Sequence, residues 1–181
     1  LISMQTEIIT KKEEEELRTR EGNVLPSPEK DIWKVAAFDR IYGTKKHALG
    51  FLKNFGAQIG AFASTWSFHE NDMIVIGSNE RDMAIAANNL VKTQGGMIVV
   101  KNDRILASIP LQIAGIISTS SFEKVSQNLT ELTSTIVDSG CKFKKPHLIP
   151  LFLPFLALPE IRILFSGIVD VKNRTLIPPF N

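Results

Sequence analysis

The stretch IGAFASTWSFHENDMIVIGSNERDMAIAANNLVKTQGGMIVVKNDRILASI, residues 59–109, decides the fold class. Residues 59–68 are apolar enough to predict a strand. His69, Glu70, Asn71 and Asp72 follow as a polar turn, and MIVIG (73–77) is the next strand, so the pair reads as a hairpin. Asn79 then fits a helix N-cap, with Asp82 at the third helical position. Met83, Ala86, Ala87, Leu90 and Val91 form one apolar stripe at helical spacing, and Gly95-Gly96 ends the helix. MIVVK (97–101) and RILASI (104–109) flank Asn102-Asp103, which is a hairpin by pattern.

The flanks extend this order. Upstream, IWKVAAFD (32–39) predicts a central strand. Thr44 to Phe55 predicts a short helix, with Ala48, Leu49, Leu52 and Phe55 on one side and Gly56 as the stop. Downstream, Ser120 and Glu123 fit a capping box for a second long helix, whose Val125, Leu129, Leu132 and Ile136 step by four, three and four. Two strands, 161–165 and 168–175, close the chain. Strand pairs interrupted by helices, without regular βαβ alternation, predict an α+β fold. The expected architecture is a layered sandwich: a mixed, largely antiparallel sheet with about three helices packed on it.

Residues 1–29 are expected to be a polar lead-in, with Glu13 to Glu16 as a solvated charge run, and residues 30–181 the domain proper. The chain has 181 residues, a net charge of +2 and a single cysteine, Cys141. That charge gives no argument for nucleic acid. One thiol fits a reducing, cytoplasmic setting. Residues 105–122 are interrupted by Pro110, Gln112 and four hydroxyl residues, so they do not suit a spanning helix. Residues 146–159 carry four prolines and read as extended buried chain, or as a surface needing a partner. No membrane segment is expected.

Phosphate-cradling loops and nucleophile elbows are absent, and His69-Glu70 lacks the second His of a zinc-binding helix because Met73 stands there. Three histidines, His47, His69 and His147, do not suffice for a binuclear centre within this chain. One polar cluster remains, His69, Glu70, Asn71 and Asp72, preceded by Ser64, Thr65 and Ser67. It reads either as a loop delivering acid–base groups to a site or as a solvated turn. Cys141, beside Lys142, Lys144 and Lys145, reads as a buried thiol in preference to an activated one. Trp33 and Trp66 read as core, and Gly50, Gly56 and Gly60 as turns.

The run GFLKNFGAQIGAFASTWSFHENDMIVIGSNERDMAIAANNLVKTQGGMIVVKNDRILASIPLQIAGIIS (50–118) resembles the C-terminal domain of bacterial adenine deaminases. Phe38-Asp39-Arg40 before Gly43-Thr44, LFLPFLALPEIR (151–162) and GIVDV (167–171) extend the likeness over residues 30–172. The resemblance implies the C-terminal part of an amidohydrolase-superfamily enzyme converting adenine and water to hypoxanthine and ammonia. It implies manganese or iron on a (β/α)₈ barrel preceding Leu1, no metal on this chain, a fragment inactive alone, and a homo-oligomer. It also implies that the loop His69, Glu70, Asn71, Asp72 faces the active site, with Ser64, Thr65, Ser67 and Arg40 near substrate. Where the family reads approximately A-H-D-S-H-N, residues 67–72 read S-F-H-E-N-D, placing Phe68 and Asn71 at histidine positions. Ile41 and Tyr42 likewise replace histidines beside Arg40. Those departures leave open another purine or a cyclic amide as substrate. A non-catalytic assembly module is the remaining alternative.

Overall fold

The computed structural model describes residues 1–68 and 70–178. Its centre is a sheet of eight strands in the order β10-β9-β7-β8-β5-β6-β1-β2. These are β1 (Ile2–Met4), β2 (Thr10–Lys12), β5 (Ile32–Phe38), β6 (His47–Lys53), β7 (Ala61–Ser64), β8 (Met73–Gly77), β9 (Gly96–Lys101) and β10 (Arg104–Pro110). All pairings are antiparallel except β1 with β6, which is parallel. Between β2 and β5 lies a small hairpin of β3 (Thr19–Arg20) and β4 (Asn23–Val24). A second sheet is formed by β11 (Ile161–Leu164), β12 (Gly167–Asp170) and β13 (Thr175–Ile177). The expected mixed, mostly antiparallel α+β sandwich is what forms.

Helix α1 (Glu80–Lys92) covers one face of the sheet. Its Met83, Ala86 and Leu90 pack on Ala36, Ala61, Ala63, Val75 and Ile98. The small side chains let the helix approach closely, so that a Cβ on Gly77 would stand 2.3 Å from Met83 Cγ. Val91, assigned above to the apolar stripe, is 69% exposed. Asn79 caps the helix as expected, its side chain accepting from the Asp82 amide at 2.8 Å.

The opposite face is covered by α2 (Phe122–Asp138) at one side and by the second sheet at the other. Leu132 and Ile136 of α2, with Ile161, Ile163 and Ile168, join Val35, Ala37, Leu52, Phe62, Ile74 and Val99 in the main core. Each large aliphatic side chain buried there is worth about 1.5–3 kcal/mol relative to its exposed state. The α2 cap is Ser121, whose Oγ accepts from Lys124, one residue beyond the predicted capping box. Among the described residues, no helix is long and apolar enough to cross a membrane.

Several local expectations are corrected. Thr44 to Phe55 is not a helix; residues 47–53 form β6, held by β5 on one side and β1 on the other. Gly50 is therefore a strand residue instead of a turn, and a Cβ there would meet Ile168 at 2.9 Å. The predicted strand 59–68 shortens to Ala61–Ser64, leaving Trp66 outside it but packed on the core. The polar start contains a buried strand, since Ile2, Ser3 and Met4 are all inside. Residues 146–159 are buried in part but not extended: Pro146–Leu148 is a 3₁₀ turn running into the one-turn helix α3 (Ile149–Phe152).

Candidate functional site

The antiparallel order sends three connections to one end of the large sheet. Residues 39–46 join β5 to β6, residues 65–72 join β7 to β8, and residues 111–120 follow β10. Arg40, Thr65, Ser67, Glu70, Asn71 and Asp72 all lie in these loops, and Ser64 is the last residue of β7. His69, the remaining member of the expected site, lies outside the described residues.

Arg40 ties the three loops together. Its Nε donates to the Asn71 carbonyl at 3.0 Å and its Nη1 to the Ala114 carbonyl at 2.9 Å. Its Nη2 is buried without a hydrogen-bond partner among the described residues. Thr65 makes the second tie: Oγ1 donates to the Gly115 carbonyl at 2.7 Å and accepts from the Gly96 amide at 2.8 Å. Gly115 has φ +69, and a Cβ there would stand 2.5 Å from Arg40 Nη1. Only a glycine gives both that backbone and that clearance.

The polar residues preceding Asp72 are inward-facing. Ser64, Thr65, Ser67 and Asp72 are buried, which excludes a wholly solvated turn. Ser64 Oγ accepts from the Trp66 amide and Ser67 Oγ from the Asn71 amide. These hydroxyls thus shape the loop, satisfying backbone donors that the strand no longer pairs. Glu70 and Asn71 are half-buried.

Asp72 is the electrostatically unusual member. Burial pushes its carboxyl up to about 6, and the hydrogen bond from the Phe165 amide and the charge of Arg40 only partly oppose this. Burial in turn lowers Arg40, against the attraction of Asp72. A carboxyl titrating near neutrality beside a guanidinium can exchange a proton under physiological conditions. Asp39 behaves oppositely. It is held at about 2 by the Thr44 hydroxyl and by the amides of Tyr42, Thr44 and Ile41. Sequence reading picked out Arg40 in this loop through the resemblance, but not the Asp39–Thr44 contact, five residues apart, that shapes it. Phe165 contributes a backbone amide, which leaves no mark in residue type.

Cys141 is buried and pushed up to about 11, chiefly by desolvation, as a structural thiol should be. Among the described residues, no group of three His, Cys, Asp or Glu side chains is placed to hold a metal ion. Two clefts lie elsewhere. One of about 630 Å³, at the opposite end of the sheet, is bordered by Trp33, Gly60, Asn79 and Asp82. Another of about 580 Å³ is lined by Ile2, Glu13, Ile161 and Ile168. Neither is bordered by Arg40, Thr65 or Asp72.

The family model for the adenine deaminase C-terminal domain matches residues 7–175. Similar curated proteins are the adenine deaminase of Cenarchaeum symbiosum, 58% identical over 98% of this chain, and that of Clostridium botulinum strain Langeland, 35% identical over 91%. The adenine deaminase of Brucella melitensis is 37% identical over 92% of the chain. The matched part is 29%, 28% and 29% of those three proteins, so the chain spans under a third of their length. With 169 of its 181 residues inside the family model (7–175), the chain belongs to the adenine deaminase C-terminal domain family.

Proposed function

We propose that this domain is the C-terminal part of a metal-dependent adenine deaminase, which hydrolyses adenine to hypoxanthine and ammonia. The supporting observation is the 58% identity, over 98% of the chain, to a protein described as an adenine deaminase. The manganese or iron belongs to a preceding (β/α)₈ barrel. The described residues here do not fit a metal, so no step through one is assigned to them. Their part is to shape one wall of the substrate site, with Arg40 and Asn71 as hydrogen-bonding groups and Asp72 as a proton-exchanging carboxyl. Ser64, Thr65 and Ser67 hold that wall in place. We place the protein in the cytoplasm, in keeping with its one buried thiol.

Expression of the full reading frame with manganese, followed by assay of ammonia and hypoxanthine from adenine, is the test. Turnover is expected. A fully metallated protein without turnover overturns the assignment. A second reading, deamination of another purine or hydrolysis of a cyclic amide, is favoured by Ile41, Tyr42, Phe68 and Asn71, which stand where the family resemblance expects histidines. Activity on such a compound and none on adenine is its signature.

A further inference from the structure

We propose that Phe68 selects a flat heteroaromatic substrate, a purine, by stacking its own ring on it. The assignment rests on the function proposed above, which makes the 65–72 loop part of the substrate wall, and it adds to that wall a contact of a different kind.

The loop displays Phe68 while turning its polar neighbours inward. Ser67 and Asp72 are buried, and Ser67 Oγ accepts from the Asn71 amide, closing the turn that carries residue 68. Phe68 itself is 57% exposed. A lone exposed apolar side chain is ordinary. This one is braced. Its ring centroid lies 5.2 Å from that of Phe152 and 5.6 Å from that of Phe155, at interplanar angles of 56° and 52°. Those are the spacings of favourable tilted aromatic pairs. The two supporting rings lie 6.3 Å apart, and Leu151 and Leu153 on either side of Phe152 are buried. Phe68 is thus held by rings on its packed side while more than half of it stays open. Arg40 donates to the Asn71 carbonyl of the same turn, so the open ring and the hydrogen-bonding group of the wall share one support. Little ordering entropy remains to be lost when a ligand settles on such a ring.

A phenyl ring has no N–H or O–H to donate and no proton to exchange, so no acid–base step is assigned to it. What it offers is an apolar face. Stacking on an aromatic side chain strengthens binding by about 5- to 150-fold per base, and every purine presents the surface for it. A cyclic amide with a saturated, puckered ring lacks that surface and forfeits the contact. Phe68 therefore selects the class of substrate and leaves the choice among purines to Arg40 and Asn71.

The test is calorimetric titration of the full-length, manganese-loaded protein with unsubstituted purine, which has no amino group to lose, so that binding is read without turnover. Phe68→Leu is expected to weaken purine binding about five-fold or more, whereas Phe68→Tyr, which keeps the ring, is expected to stay within about two-fold of wild type. Unchanged affinity in Phe68→Leu, or an equal loss in Phe68→Tyr, overturns the proposal. One arm needs no variant and holds even where Phe68→Leu fails to fold. Wild type is expected to bind purine about ten-fold or more tightly than dihydrouracil, a cyclic amide with a partly saturated ring. Equal affinity, or no purine binding, overturns the proposal. Adenine turnover is recorded on the same samples, where Phe68→Leu is expected to raise KM with little change in kcat, as for binding shared by ground and transition states. Adenine turnover with purine binding indifferent to Phe68 removes stacking alone, whereas Phe68-dependent purine binding without adenine turnover removes adenine alone.

Discussion

The Phe165 amide donates to Asp72 Oδ2 at 2.8 Å, joining the start of β8 to the β11–β12 turn across 93 residues. This contact satisfies one lone pair of a carboxylate whose burial raises its pKa to about 6. An unfolded Asp titrates near 3.9. Between those values the folded chain binds more protons than the unfolded one, so stability falls as pH rises. The contribution of Asp72 is greatest below about pH 4 and is lost through pH 6. Asp72→Asn keeps an acceptor for Phe165 and removes the titration. Urea unfolding of wild type and variant at pH 4.5, 6 and 7.5 is expected to show the variant gaining relative to wild type as pH rises. Parallel profiles would refute the assignment.

Thr65→Val leaves the Gly115 carbonyl and the Gly96 amide without their hydroxyl partner in a buried site. The expected cost is about 1–3 kcal/mol. For a chain of this size the melting temperature falls by roughly 2–4 °C per kcal/mol. Thr65→Ser retains the hydroxyl and is expected to lose much less. Calorimetry of both variants checks the difference.

Arg162 is fully buried and donates to the carbonyls of Leu158, Phe152, Ile8 and Pro159. Desolvation brings its pKa down to about 10, so it remains charged at neutral pH. Arg162→Met fills similar space but strips donors from all four carbonyls. A loss of about 1–3 kcal/mol is expected, the penalty for buried acceptors left without donors. Chemical denaturation measures it, and a loss below 1 kcal/mol refutes the clamp.

Gly60→Ala places a Cβ 1.7 Å from Asp82 Oδ2. Asp82 cannot yield freely, because it accepts from the amides of Asn102 and Asp103. Burial pushes its carboxyl up, but those bonds and Asn79 outweigh it and hold Asp82 below the usual carboxylate range. Overpacking of this kind costs about 1–3 kcal/mol. Removing the cap with Asn79→Ala costs about 1 kcal/mol. Comparing the two midpoints tests whether Asp82 is a fixed strut.

A fragment beginning at residue 30 lacks β1, β2 and the Ile8 carbonyl that Arg162 holds. It also uncovers β6, whose edge β1 pairs. Such a fragment is expected to aggregate or to melt far below the 181-residue chain, as light scattering during a thermal ramp would record.

Elements with strong local chemistry were legible. Asn79 caps α1, and Asn102-Asp103 takes the two positive φ values of a tight hairpin, +53° and +66°. Residues 44–55 misled because Ala48, Leu49, Leu52 and Phe55 fit a helical face, while partners far away in sequence made residues 47–53 a central strand. Ile2–Met4 is too short to show any period, and its burial depends on pairing with β2 and β6 and on packing in the main core. At the site, the buried hydroxyls and Asp72 stood out as residue types. Their partners were backbone groups of Gly96, Gly115 and Phe165, which no side-chain pattern announces.

The Asn79–Asp82 anchor and the three gathered loops lie at opposite ends of the sheet. Ile41, Tyr42 and Phe68 belong neither to the ladder between β5 and β8 nor to the packing of α1. A change at any of these three leaves both intact, so the side chains displayed at the loop end are free to vary more than the scaffold that carries them.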